Sequence, residues 1–87
     1  MNNLNTQFHS AVKAVRNVSD RPDNDTLLHM YALYKQATEG DANGPRPGFF
    51  DFIGCSKREA WEKLSGTPSE DAMRGYVELV RGLGARI

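Results

Sequence analysis

The 87 residues are 39% hydrophobic and 25% charged, and 11 Lys and Arg balance 11 Asp and Glu. A chain of this length makes one small domain, here residues 1–87, with a thin core. Zero net charge argues against nucleic-acid binding, which calls for a basic stripe, but leaves room for a local basic pocket.

The single cysteine, Cys55, cannot form an internal disulfide and reads as an ordinary loop thiol, not part of a metal cluster. The segment Met1-Asn2-Asn3-Leu4-Asn5 has no basic stretch followed by an apolar one. No run approaches the ~18–20 continuous apolar residues of a bilayer span. The expectation is a soluble, cytoplasmic protein without stable membrane insertion.

In chain order, Phe8, Ala11, Val12, Val15 and Val18 recur at three- and four-residue intervals and predict a first helix from about Thr6 to Val18. Ser19-Asp20-Arg21-Pro22 breaks it. Asp23, Asn24 and Asp25 supply a cap and acids for the start of a second helix, which carries Leu27, Leu28, Met30, Tyr31, Leu33, Tyr34 and Ala37 and stops at Gly40. Asp41 to Gly54, with Gly44, Pro45, Pro47 and Gly48, reads as a long loop. Its Phe49, Phe50, Phe52 and Ile53 are expected to pack onto the bundle. A third helix fits Ser56 to Leu64, with Ala60, Trp61 and Leu64 facing inward. Thr67-Pro68-Ser69-Glu70 reads as a capping box for a fourth helix that buries Ala72, Met73, Tyr76, Val77, Val80 and Leu83. The pattern is an all-α bundle of four helices with a long loop between the second and third. Short connections make the flanking helices antiparallel neighbours, and the long loop lets the middle pair run parallel.

Tyr31 and Lys35 stand one helical turn apart on one face, with Tyr34 beside them. Lys57 falls one turn before Ala60 and Trp61, on or next to the inward face of the third helix. A lone lysine there would simply keep its stem on the core and its head in water, and any one tyrosine would be a core residue with a satisfied hydroxyl. Two lysines against an aromatic stripe instead suit a shared anion site, where ammonium groups hold a phosphate and phenols add directional hydrogen bonds. Tyr31, Tyr34 and Tyr76 would add a surface on which a base can stack. Catalysis has no comparable signal. His9 and His29 lie in different helices without a nucleophile at a suggestive spacing, and no Gly-rich phosphate loop precedes a Lys-Ser/Thr helix start. The chain does not read as an enzyme.

From Phe8 to about Leu83 the sequence resembles the acyl-CoA-binding protein family. The elements that carry the resemblance appear in order: Phe8, Ala11 and Val15; Pro22 and Leu28; Tyr31-x-x-Tyr34-Lys35-Gln36-Ala37-Thr38-x-Gly40-Asp41; Arg46-Pro47-Gly48 with Phe52; Lys57-x-x-Ala60-Trp61; and Gly66 through Asp71-Ala72-Met73-x-x-Tyr76. The resemblance implies an up-down-down-up four-helix bundle that binds, sequesters and transports long-chain fatty acyl-CoA thioesters without chemical turnover and needs no cofactor or metal. It implies that Tyr31, Lys35 and Lys57 hold the 3′-phosphate and ribose of CoA. Tyr34 would stack on adenine, Tyr76 would line the nucleotide end, and Arg16, at a position commonly lysine, would reach the head group. Leu27, Leu28 and Met30 would border the acyl groove. The expected partners are fatty acyl-CoA and, transiently, enzymes that use it, with the protein acting as a monomer.

The chain departs from the family pattern at Ile53 and Cys55, where many members have lysines, and at Arg58, where a tryptophan usually follows the lysine. These departures, with the apolar Phe49-Phe50-Asp51-Phe52 segment, motivate an alternative: a protein-interaction module on the same bundle with weakened or lost ligand binding.

Overall fold

The structure is a computed structural model and describes residues 3–85. Among these residues every regular element is helical: α1 (Leu4–Ala14), continued by a single 3-10 turn (Val15–Asn17), α2 (Asn24–Glu39), α3 (Phe52–Glu62) and α4 (Ser69–Gly82). The first three helices begin where a short polar side chain satisfies an orphan N–H. Asn3 Oδ1 accepts from the Thr6 amide at 2.7 Å, Asp23 Oδ1 from Thr26 at 2.8 Å, and Asp51 Oδ1 from Gly54 at 2.9 Å. Asp23 consequently has its carboxyl held below the usual range by the Thr26 hydrogen bonds.

Three expectations about boundaries change. The Asn3 cap starts α1 two residues before Thr6, and tightening into the 3-10 turn ends the α-helix at Ala14, short of Val18. The Asp51 cap starts α3 at Phe52, so Phe52, Ile53, Gly54 and Cys55 are helical and not loop. The capping box does not form: Pro68 is the N-cap of α4 without a side-chain bond, and the Ser69 hydroxyl donates to the Ala37 carbonyl at 2.5 Å.

The core joins Phe8 and Ala11 of α1, Met30, Leu33 and Ala37 of α2, and Ala72, Tyr76, Val77 and Val80 of α4. The helices that pack most closely are not those joined by short connections. α2 lies against both α3 and α4, and α1 lies against α4. The reason is the wide apolar face of α4, which accommodates two helices at once; at Gly75 it also lets α2 approach, with Leu33 Cδ2 only 3.1 Å from where a β-carbon would stand. Residues of α2 and α3 that meet rise together in sequence number, from Tyr31 under Lys57 to Trp61 under Lys35, so these two helices run parallel. Those between α2 and α4 run oppositely, from Ala37 bonded to Ser69 to Leu33 against Gly75. The result is the all-α, up-down-down-up four-helix bundle.

The end of α2 is the main junction. Gly40 takes φ 80° and ψ −150°, a region open almost only to glycine. Its carbonyl accepts from Trp61 Nε1 at 2.8 Å, which fixes α3. The carboxylate of Asp41 accepts from the Gly66 amide and from Gln36 Nε2, both at 2.8 Å, while Gln36 Nε2 also donates to the Thr67 carbonyl at 2.9 Å. The Gly66 amide bond, then the Gln36 bond, holds the Asp41 carboxyl below its ordinary range. The long connection is clamped onto α3 as well: Arg58 donates to the Asn43 carbonyl at 2.8 Å, and Arg46 and Arg58 both reach Glu62 Oε2, at 2.9 and 3.1 Å.

The apolar side chains between this connection and α3 do not pack inward as expected. Phe49, Phe50, Phe52 and Ile53 are 71–82% exposed. Asp51 occupies the cap position, and the helix that starts there carries Phe52 and Ile53 in its solvent-exposed first turn.

Two outcomes follow from the junction. Gly40→Ala should lower stability by about 1–3 kcal/mol through backbone strain alone, since a β-carbon there meets nothing within 4 Å. Gly82→Ala, in equally open space at ordinary helical φ, should be neutral or stabilise by a few tenths to about 1 kcal/mol, and urea unfolding separates the two. Asp41→Asn should lower the melting temperature near neutral pH. Because the folded-state pKa of Asp41 is depressed, its contribution is fully present above the ordinary Asp value of about 3.9 and is lost as pH falls below that value and through the lower folded-state pKa. The gap between parent and variant should therefore close in acid, and a gap that stays constant with pH would contradict the assignment.

Candidate functional site

Besides a depression of about 610 Å³ lined by Asp25, Leu28, His29, Ser56, Glu59, Ala60, Lys63 and Leu64, the parallel α2–α3 pair leaves two that meet at Lys57. The smaller, about 270 Å³, is lined by Tyr31, Lys35 and Glu39 of α2, by Lys57, Arg58 and Trp61 of α3, and by Asn43, Pro45 and Pro47 of the connection. The larger is a groove of about 450 Å³ lined by Leu27, Leu28, Phe52 and Ile53, with Arg21, Asn24, Ser56 and Lys57 at its polar positions. Lys57 lines both.

The spacing seen in the sequence now has a geometric content. Tyr31 and Lys35 face α3, and Lys57 meets them because the two helices run in the same direction with matching register. Lys57 Nζ stands 5.2 Å from the centre of the Tyr31 ring, and Lys35 Nζ stands 4.8 Å from that of Trp61. Each ammonium is thus steered by an aromatic face. Lys35 also makes an ion pair with Glu39 one turn on, and that hydrogen bond raises the Lys35 pKa above its ordinary value. Among the described residues Lys57 makes no ion pair.

The remaining candidate positions are distributed differently. Tyr34 is 41% exposed and stacks on Phe8, with ring centres 5.9 Å apart. Tyr76 is only 5% exposed and meets Phe8 edge-on at 5.3 Å. Burial pushes its phenol pKa up, and Tyr34 adds to the shift. The two tyrosines share an α1–α2–α4 aromatic cluster and are not among the side chains lining either depression. Leu27 and Leu28 line the larger groove, whereas Met30 is buried in the core and does not. Arg16 is exposed in the 3-10 turn and lines neither depression.

Arg58 is not a free surface charge. It is held by Glu62 and Asn43, with its guanidinium carbon 5.8 Å from the Trp61 ring centre.

Residue periodicity overlooked three contributors. Trp61 reads from sequence as an inward-facing core residue, yet it also floors the smaller depression. Glu39 sits four residues after Lys35, a spacing that signals a helical ion pair. Asn43 and its prolines have no local signal, because the Arg46 and Arg58 clamps that bring the connection over α3 join residues far apart in sequence.

A family model described as "Acyl CoA binding protein" matches residues 5–80. The chain belongs to the acyl-CoA-binding protein family. It is 41% identical over 83 residues to the acyl-CoA-binding protein homolog of Drosophila melanogaster, covering 95% of this chain and 96% of that one. It is also 44% identical over 78 residues to enoyl-CoA delta isomerase 2 of Rattus norvegicus, covering 90% of this chain but spanning only 20% of the isomerase. Among solved structures, acyl-CoA-binding protein 2 of Oryza sativa superposes with a TM-score of 0.87 at 33% identity, over 93% of this chain and 90% of that one.

The Lys35–Glu39 pair gives the site a measurable electrostatic signature. Glu39→Gln removes the charge that raises the Lys35 pKa, so the Lys35 titration followed by NMR should move down toward about 10.4. Stability below that range should fall by only about 0.3–0.5 kcal/mol, the scale of an exposed i,i+4 pair. An unchanged Lys35 titration would mean that the pair does not persist in solution.

Proposed function

We propose that residues 1–87 act as a single acyl-CoA-binding domain that sequesters and transports long-chain fatty acyl-CoA thioesters without chemical turnover. The observation that carries this reading is the meeting of Tyr31, Lys35 and Lys57 across two parallel helices, directly beside a groove lined by Leu27 and Leu28. A CoA thioester has the matching polarity, with phosphates and a ribose at one end and a hydrocarbon chain at the other. Family membership and the near-complete coverage of the Drosophila relative support the same ligand. They do not favour the protein-interaction alternative.

In this reading Lys35, Lys57 and Tyr31 hold the 3′-phosphate and ribose. Tyr34 offers its exposed ring to adenine, and Tyr76 supports it from within the aromatic cluster. Arg16 contributes charge at the head-group end. The acyl chain enters the groove at Leu27 and Leu28, and Met30 backs that wall from the core. Each buried methylene contributes about 0.8 kcal/mol, so chain length supplies much of the affinity while the lysines select the thioester's nucleotide end over a free fatty acid. The work is binding, not catalysis, and acyl-CoA-using enzymes are its transient partners in the cytoplasm.

Glu39 refines the energetics. Lys35 must exchange a carboxylate partner for a phosphate, whereas Lys57 starts without an ion pair among the described residues. Titration calorimetry with palmitoyl-CoA, CoA and palmitate tests the reading. Lys57→Ala should weaken palmitoyl-CoA by roughly 1.5–3 kcal/mol, the range for hydrogen bonds to charged groups, and Lys35→Ala by the lower part of that range. Both losses should shrink with a ligand lacking the 3′-phosphate. A folded parent protein that binds no acyl-CoA would end the proposal, and a Lys35→Ala variant that binds as tightly as the parent would end the head-group assignment.

A further inference from the structure

The segment Phe49-Phe50-Asp51-Phe52-Ile53 puts four large apolar side chains, 71–82% exposed, on the turn before α3 and on its first turn. The turn is closed by the Asp51 amide donating to the Gly48 carbonyl at 2.9 Å, and the rings of Phe49 and Phe50 meet edge-on at 5.0 Å. So much clustered apolar surface on so small a chain marks a contact surface. The one acid of the segment, Asp51, is engaged as the cap of α3 through Gly54.

Two observations identify the occupant. The patch runs directly into the acyl-sized groove, because Phe52 and Ile53 belong to both. Of the groove's four polar lining residues Arg21 and Lys57 are cationic, and among the described residues no carboxylate lines it; the nearest acids, Asp25 and Glu59, belong to the adjoining depression. Apolar side chains at a protruding turn, flanked by cations and continuous with a hydrocarbon groove, match the surface of an anionic bilayer. There aromatic rings insert at the interface, and nearby Lys and Arg side chains are drawn to acidic lipid.

We propose that Phe49, Phe50, Phe52 and Ile53 form a reversible membrane-docking tip that rests the mouth of the groove on an anionic lipid surface. Phe49 and Phe50 insert, while Phe52 and Ile53 form an apolar path between the bilayer and Leu27 and Leu28. An amphiphile with a long acyl chain then passes between membrane and groove without crossing water. The proposal extends the carrier reading, but docking is measured without acyl-CoA, so the two stand or fall separately.

The test is flotation of the parent chain with vesicles of phosphatidylcholine alone and of phosphatidylcholine containing phosphatidylserine. Analytical ultracentrifugation without lipid runs in parallel. The expected result is co-flotation with the serine-lipid vesicles, weakened at high salt and much weaker on phosphatidylcholine. Phe49→Ser/Phe50→Ser should lower the partition coefficient on the order of tenfold or more, with thermal unfolding and palmitoyl-CoA binding unchanged. Arg21→Gln should reduce flotation on the anionic vesicles only. Absence of flotation on anionic vesicles, or equal flotation by the double variant, overturns the proposal. So does a parent dimer that becomes monomeric in the double variant, which would make a second copy the occupant.

Discussion

The hydrogen-bonded end of α2 is the constraint on which the rest of the molecule depends. Gly40 adopts a backbone conformation reserved for glycine and turns its carbonyl to Trp61, while Asp41 and Gln36 bind the backbone of the α3–α4 turn at Gly66 and Thr67. Ser69 adds a bond to the Ala37 carbonyl. One helix terminus thereby sets the positions of α3 and α4. Its energetics are asymmetric, because the bonds are individually modest but breaking one strands a partner in a partly buried place. Gln36 is only 1% exposed, and among the described residues its Oε1 has no hydrogen-bond partner. The amide is kept for the two bonds its nitrogen makes.

Fixing α3 at Trp61 also creates the site. With Trp61 pinned to Gly40, the parallel course of α3 brings Lys57 beside Tyr31 and leaves Lys35 over the indole. Like charges converge there because aromatic faces and Glu39 offset their repulsion in the unliganded protein. The same parallel course sets Phe52 and Ile53 opposite Leu27 and Leu28, so the polar depression and the apolar groove adjoin, with Lys57 between them. An amphipathic ligand needs that adjacency. α3 packs mainly on α2, not on the α1–α2–α4 core. The binding face is therefore held chiefly by the junction and by the Arg46–Glu62–Arg58 clamp, not by core packing.

The same division explains where sequence reading succeeded. Helical periodicity placed four helices, because each buries a stripe whose spacing is visible residue by residue. Boundaries were legible only where the signal was unopposed. The run Asp23-Asn24-Asp25 signals a cap at the start of α2, and Asp23 supplies it. Asp51, set in the middle of four apolar residues, gives no such signal, so the pattern starts α3 at Ser56, four residues late. Ser69 looked like part of a capping box, yet its hydroxyl turns to another helix. That choice depends on a carbonyl 32 residues away in sequence and has no local trace.

What the sequence determined by itself was the set of chemical groups and their faces: two lysines, a tyrosine stripe, paired leucines, and a glycine where α2 must stop. The tertiary structure decided which of them meet. It separated Tyr31 from Tyr34 and Tyr76, sent Met30 into the core, made Arg58 a clamp on the connection, and left the Phe49–Ile53 segment outside. Periodicity reports which side of a helix a residue occupies. The direction and register of the neighbouring helix are set by long-range hydrogen bonds and by the close approach at Gly75, and these decide what that side faces.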